Sequence, residues 1–260
     1  APSSRFSYWI NANLSDNTNK ILHYAGQNSI IRGVNGIVEG LPFNSIYAYV
    51  ADGYFQSDEE VTKHAFQDSR TGPGDLKYKD IDGNNRVDVG LGRVDNHGDL
   101  VYSGTTSPGY MYGADLGFNW KGFQLSAFFQ GVGKRTIQLS GNAVLPFLEA
   151  WRMPWAINKD YWTPDNPTND YYGLVAKQPY NSAIFYQDAT YWRISDITLG
   201  YRLPEKLVSR WGVSNFRLYG QVTNPFVFTN FISFDPEYNT ATYIDDVPSV
   251  AYRLGLNVAF

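Results

Sequence analysis

No cysteine occurs in the 260 residues, which excludes disulfides, Cys-ligated zinc and thiol catalysis. That absence fits an exported Gram-negative protein without requiring export. Histidine is scarce. His23, His64 and His97 lie far apart and outside any HExxH spacing, so they read as solvated loop or turn residues. No apolar stretch approaches the roughly 18–20 residues a membrane-spanning helix needs. The strands of a membrane barrel give a much weaker signal per segment, so this does not exclude a membrane. Net charge is −4 and no run of like charges forms a tail, which argues against nucleic acid as a partner, since phosphate binding needs a basic patch. The opening residues, Ala1 to Arg5, have neither a charged leader nor an apolar centre, so any export leader is expected upstream of them.

Aromatic residues, in contrast, are abundant: 20 Tyr, 16 Phe and 7 Trp make up 17% of the chain. The hydrophobic fraction is only 43%, and mean hydropathy is −0.35. Many aromatics at low average hydropathy suit a sheet with one greasy and one polar face. They suit a membrane barrel especially, where Tyr and Trp gather at both interfaces.

Period-two alternation is clearest at the end of the sequence. Val250, Tyr252, Leu254, Leu256, Val258 and Phe260 alternate with Ala251, Arg253, Gly255, Asn257 and Ala259. This predicts a strand with one apolar face, about as long as a tilted bilayer crossing requires. Residues 110–134 read as a hairpin turning at Lys121-Gly122, with Tyr112, Ala114, Leu116, Phe118 and Trp120 on one face and Phe123, Leu125, Ala127 and Phe129 continuing it. Tyr8, Ile10, Ala12 and Leu14 alternate near the start, and segments 44–55, 190–202 and 214–224 complete about seven strands.

The connections differ in length. The turn at 120–123 is tight, and 203–213 is short, with room for one helical turn from Pro204 to Trp211. Segments 56–109, 135–188 and 225–248 are long, a rare feature of compact soluble domains. Short turns on one side and long loops on the other are the layout of an outer-membrane barrel. Residues 17–43 do not fit this scheme, being too long for a simple turn on the short side.

Several segments resemble the SusC/RagA family of TonB-linked outer-membrane proteins of Bacteroidetes. They are Ser45–Gln56, Pro73–Gly83, Gly122–Gly133, Tyr161–Pro167, Tyr191–Tyr201 and Gln221–Phe226, in the family's order and spread over nearly the whole chain. The resemblance implies an all-β fold: an antiparallel transmembrane β-barrel segment, about seven strands of a larger barrel of about 22 strands, with long extracellular loops. Residues 1–260 would be the C-terminal part of that barrel, with the plug domain and earlier strands outside this chain. The resemblance further implies import of large nutrients (oligosaccharide or peptide), a SusD-like surface lipoprotein as partner, energy from TonB through the N-terminal part, and a Gram-negative outer-membrane location. Phe260 would be a terminal residue of the kind the barrel assembly machinery reads.

Two constellations could carry chemistry. In the run Asp80-Ile81-Asp82-Gly83-Asn84-Asn85-Arg86-Val87-Asp88, oxygen-bearing side chains stand at loop positions 1, 3, 5 and 9, as in an EF-hand-type calcium site, with Arg86 at the position that uses its backbone carbonyl. Asn85 replaces the usual Gly, and Leu91 stands where a bidentate Glu is expected, with Asp95 the nearest substitute. The alternative is an Asx-rich turn without metal. Trp151, Trp155, Tyr161 and Trp162 lie in a long loop and could stack on sugar rings, or could simply pack the loop or meet a capping partner. Gly131-Val132-Gly133 is too short for a nucleotide loop, and Asp245-Asp246 reads as solvated loop.

The leading expectation is therefore a non-enzymatic wall segment of an importer, with lipid outside and Asp115, Asn119, Gln124, Gln130, Arg253 and Asn257 lining a polar lumen. A soluble β-rich carbohydrate-binding module, built as two packed sheets around the tryptophans, is the alternative. A β-rich surface hydrolase with paired carboxylates in a cleft is the third.

Overall fold

The computed structural model describes residues 6–26, 28–139, 159–167, 182–231, 235–237 and 248–260. Along the chain, strand β1 (Ser7–Asp16) is followed by the short strands β2 (Gly33–Asn35), β3 (Ser45–Tyr49) and β4 (Ala51–Tyr54). Helix α1 (Asp58–Lys63), β5 (Leu76–Tyr78) and β6 (Leu100–Thr105) come next. The hairpin β7 (Tyr110–Trp120) and β8 (Phe123–Gly133) leads to β9 (Thr136–Gln138), β10 (Tyr186–Asp188) and β11 (Tyr191–Arg202). Helix α2 (Glu205–Val208) runs into a 3-10 turn (Ser209–Trp211), then β12 (Asn215–Thr229) and β13 (Ala251–Ala259) close the order. No helix among the described residues is long and apolar enough to cross a membrane.

Six long strands form one antiparallel wall in the order β1-β7-β8-β11-β12-β13. Its register lines up the alternating apolar residues. Tyr8, Phe118, Leu125, Leu199, Gly220 and Leu254 are successive partners across the wall, and so are Ile10, Leu116, Ala127, Ile197, Val222 and Tyr252. Directly opposed residues share a face, so these rows make one continuous apolar surface. It is left bare: Leu254 is 88% exposed, and Tyr8, Ile10, Leu14 and Leu256 are exposed too. From Phe123 to Gly131 the strand covers roughly 26 Å at ~3.3 Å per residue. A tilt of ~40° leaves about 20 Å of height, against ~25 Å for a barrel's apolar band.

The wall contains six strands rather than seven, because segment 44–55 does not join it. β3 pairs with β2 and β6, and β4 pairs with β5. Every residue of β3 is buried, so both of its faces are covered, whereas a wall strand leaves its apolar face bare. The correction also removes the difficulty with residues 17–43. With 44–55 out of the wall, residues 17–109 become a single connection between β1 and β7. All three long connections then leave from the same end of the wall, and both short turns lie at the other.

The long connections build a common core. Ile30, Tyr49, Tyr54, Leu76, Tyr78 and Leu100 pack with Ile137, Leu139, Trp162, Phe185 and Phe231. Residues from all three connections therefore bury apolar surface together. Helix α1 begins with Ser57 as N-cap, its side chain accepting from the Glu60 N–H, while Glu60 accepts from the Gln56 N–H (2.7 Å) and from Lys77 Nζ (2.6 Å).

In β11 the alternation breaks at Ser195, where the register shifts against both neighbours. On β12 the matching irregularity falls at Asn224-Pro225, with Asn224 at φ 53°. Pro225 has no N–H to give a ladder, so a bulge is where such a residue fits. The bulge puts Trp192 and Ile194 on the same outer face as Ile197, Leu199 and Tyr201.

Candidate functional site

The opposite face of the wall is polar. Asp115, Asn119, Gln124, Gln130, Arg253 and Asn257, the residues expected to line a lumen, all fall on it by register. Asp115, Asn119 and Arg253 are tied into cross-strand hydrogen bonds. Trp9 Nε1 donates to Asp115 Oδ2 (3.0 Å), Asn119 Nδ2 to Ser7 Oγ (3.3 Å) and Arg253 Nη1 to Thr223 Oγ1 (3.0 Å). Asp196 accepts from Thr198 Oγ1 (2.9 Å) and from Gln221 Nε2. The Trp9 indole lies against Gly117, where a Cβ would come within 2.4 Å of it. Side chains bonded in this way hold fixed positions along a polar surface, a property suited to a passage or a binding wall.

At the loop end, a segment of the 230–250 connection is strapped onto this polar face. Arg193 Nη2 donates to Asp235 Oδ2 at 2.6 Å, with both side chains buried. The Glu237 carboxylate accepts from Gln130 Nε2 and from the Tyr191 hydroxyl, each at 2.8 Å, and lies 3.3 Å from Arg193 Nε. Arg135 Nη1 donates to the Pro236 carbonyl (2.9 Å). Sequence reasoning missed this cluster, because Asp235 and Glu237 carry no motif and meet Arg193 across about forty residues of chain.

The aspartate loop adopts a chain of Asx turns. Asp80 accepts from the N–H groups of Gly83 and Asn85, both at 2.8 Å. Asp82 accepts from the Asn84 N–H (3.1 Å), and Asn84 Oδ1 from the Arg86 N–H (2.7 Å). Asp88 Oδ1 caps the Gly90 N–H at 2.8 Å, and its other oxygen lies 3.7 Å from Arg86 Nε. The carboxylates of Asp80 and Asp82 converge with that of Asp99, their ligand oxygens within 4.8 Å of one another, while the Asp88 carboxylate lies outside this grouping. Asp99 is fully buried and accepts from the N–H groups of Ile81 (2.6 Å), Asp82 (3.3 Å) and Asp88 (2.8 Å). It takes the place for which Asp95 was the sequence candidate. No loop spacing could have indicated it, since it enters from the start of β6. Asp99 Oδ1 already accepts two bonds, but Asp99 Oδ2 and the two Asp80 oxygens accept one each and keep a lone pair, so the trio could also hold a hard cation that prefers oxygen, such as calcium.

Of the aromatic set, Trp151 and Trp155 lie outside the described residues, as do Asp245 and Asp246. Trp162 is only 8% exposed. Its indole N–H donates to Gln56 Oε1 (2.7 Å), and its ring lies over Gly74, where a Cβ would meet it at 2.6 Å. Tyr161 packs partly buried against the same core. Trp162 is therefore packed into the loop core.

A wall with one bare apolar face, one bonded polar face and every long connection at one end is the sheet of an outer-membrane-type β-barrel. Comparison with known proteins agrees. No family model matches the chain. The TonB-dependent receptor P3 of Formosa agariphila is 24% identical over 242 residues, 91% of this chain and 23% of that protein. Receptor P26 of the same organism is 25% identical over 287 residues, 99% of this chain and 28% of that protein. The TonB-dependent receptor SusC of Bacteroides thetaiotaomicron is 32% identical over 91 residues, 34% of this chain and 9% of SusC. Among solved structures, the RagAB peptide transporter superposes with a TM-score of 0.70 at 19% identity, over 98% of this chain and 27% of the matched one. The chain is similar to TonB-dependent receptors of the SusC/RagA type. It spans about a quarter of the length of P3 and P26.

Proposed function

We infer that residues 1–260 form part of the barrel wall of an outer-membrane importer for large nutrients, peptide or oligosaccharide, driven through TonB and capped by a SusD-like surface lipoprotein. The chain itself performs no catalysis in this reading. The observation that carries it is the two-faced wall. Its apolar rows continue across six strands with nothing among the described residues packed on them, while the other face is polar and bonded. A soluble module would bury such rows against a second sheet. The relatives named as TonB-dependent receptors and the RagAB peptide importer support the same reading.

The test is fractionation of the full-length receptor, followed by gel mobility of detergent-extracted protein with and without heating. Outer-membrane location, a heat-dependent shift and co-purification of a lipoprotein are expected. A protein that stays in solution without detergent and shows no shift would overturn the proposal.

A structural cation belongs to the same proposal: calcium at Asp80, Asp82 and Asp99 would fix the base of β6 to the 80–90 loop. The convergence of three carboxylates, one of them buried, supports it. Asp88, Asn84 and the Arg86 carbonyl are not needed as ligands in this arrangement.

A further inference from the structure

We propose that the short connection 203–213 is an interfacial anchor that docks on the anionic phospholipid headgroups of the leaflet at the short-turn end of the wall. The inference rests on the barrel reading and goes beyond it.

The local chemistry begins with Pro204, which opens one helical turn and a 3-10 turn ending at Gly212 with φ 71°. Val208 is fully buried and, with Val213, fastens the connection to the body of the protein. Leu207 and Trp211, four residues apart and so on one stripe, are instead 51% and 65% exposed. Lys206 and Arg210 repeat the same spacing on the adjacent stripe and are exposed as well. Large apolar side chains flanked by cations, on a helix too short to hide them, match a headgroup boundary. There, rings and aliphatic tips enter the acyl edge while cations meet phosphate.

Three neighbouring features extend this surface. Arg202 N–H donates to the Gly122 carbonyl, so the 120–123 turn sits beside the connection. That turn presents exposed Trp120 and Phe123, with Lys121 Nζ 4.9 Å over the Trp120 ring. Ser214 N–H donates to the Ala259 carbonyl, which brings the exposed Phe260 to the same end. The patch thus continues the bare apolar rows through Leu218 and Leu256. Arg202, Lys206, Arg210 and Lys121 give it a positive charge that Glu205 only partly offsets, in a chain whose net charge is −4. That local excess favours an anionic surface.

The experiment uses the full-length receptor carrying Leu207→Cys labelled with an environment-sensitive fluorophore, reconstituted in vesicles containing phosphatidylglycerol. Nitroxide-bearing phospholipids are expected to quench the label several-fold more than aqueous iodide does. Combining Lys206→Glu with Arg210→Glu is expected to reduce the lipid quenching. Stronger quenching by iodide would show a solvated turn. Access by neither quencher would show contact with another protein segment. Lipid quenching unaffected by the charge reversal would remove the headgroup contact. Each of these results overturns the anchor. Labelling at Trp211→Cys gives the same readout should the Leu207 variant fail to assemble. A heat-dependent gel shift in the same preparation separates failure of the anchor, with the shift kept, from failure of the barrel reading, with the shift lost.

Discussion

Arg193 on β11 and Asp235 in the last long connection form a buried ion pair at 2.6 Å that fastens an outer loop to the polar face of the wall. Removing Asp235 leaves the buried Arg193 with the Glu237 carboxylate alone, 3.3 Å from its Nε, so the cost falls below the ~3–5 kcal/mol of a buried charge left with no partner. Asp235→Ala is therefore expected to free the 235–237 segment while the wall survives. Hydrogen exchange on the full-length receptor would show it as faster exchange at 235–237, with strands β11 and β12 still protected. Unchanged protection of the segment would mean that the strap is held elsewhere.

Glu60 gives a pH-dependent contact in the loop assembly. The Lys77 ammonium and then the Gln56 N–H hold its carboxyl below the usual carboxylate range. A depressed folded value means that the stabilisation is present above the unfolded pKa, about 4.3, and is lost as pH falls through the folded one. Glu60→Gln should therefore loosen α1 and β5 at neutral pH and make progressively less difference under acid. Exchange rates of residues 57–78 across that range are the measurement, and a mutational effect that persists at the lowest pH would contradict the assignment.

Asp99 is expected to matter more than any residue of the 80–88 run. It satisfies three N–H groups from a buried position, so Asp99→Ala removes three hydrogen bonds worth about 0.5–1.5 kcal/mol each. If calcium occupies the site, chelation should lower the melting temperature of the wild-type receptor and leave the Asp99→Ala protein unmoved. Identical melting with chelator and with added calcium would leave the loop as a set of Asx turns alone.

Much of this architecture was legible in the sequence, and the exceptions have physical causes. Residues 110–133 and 250–260 alternate with period two, one face of the wall being apolar and the other polar, so their strand identity and facing could be read directly. Segment 44–55 resembles a wall strand in composition, yet Ser45 to Tyr49 are buried on both sides. β-branched and aromatic residues suit either environment, and no local pattern separates them. The bulge at Ser195 hid the fact that Trp192 shares a face with Ile197, since a single inserted residue reverses the apparent parity. Asp99 and the Arg193–Asp235 pair depend on contacts between distant segments, which residue spacing does not encode. Trp162 suggested a sugar platform by its type and its loop position, but it fills the loop core.

The bare face should be intolerant of charge where the polar face is not. Leu199→Arg lies in the apolar rows toward the short-turn end of β11, where a cation facing lipid costs less than the ~2–4 kcal/mol of the bilayer midplane. Thr198→Arg places the same charge on the polar face. The first variant is expected to lower the yield of heat-modifiable receptor several-fold and the second to leave it nearly unchanged. Equal losses would argue against lipid on the Leu199 side.

The most direct test of the central claim is a cysteine scan of β8 from Phe123 to Gln130 in the full-length receptor, in native membranes and freed of other reactive thiols. This chain contributes no cysteine of its own. Positions 124, 126, 128 and 130 should react with a water-soluble thiol reagent, and positions 123, 125, 127 and 129 with a lipid-restricted one, while Gly131, which the Tyr112 ring covers, is left unsubstituted. Uniform reactivity toward the water-soluble reagent, without period two, would contradict a wall with lipid on one side and a polar lumen on the other.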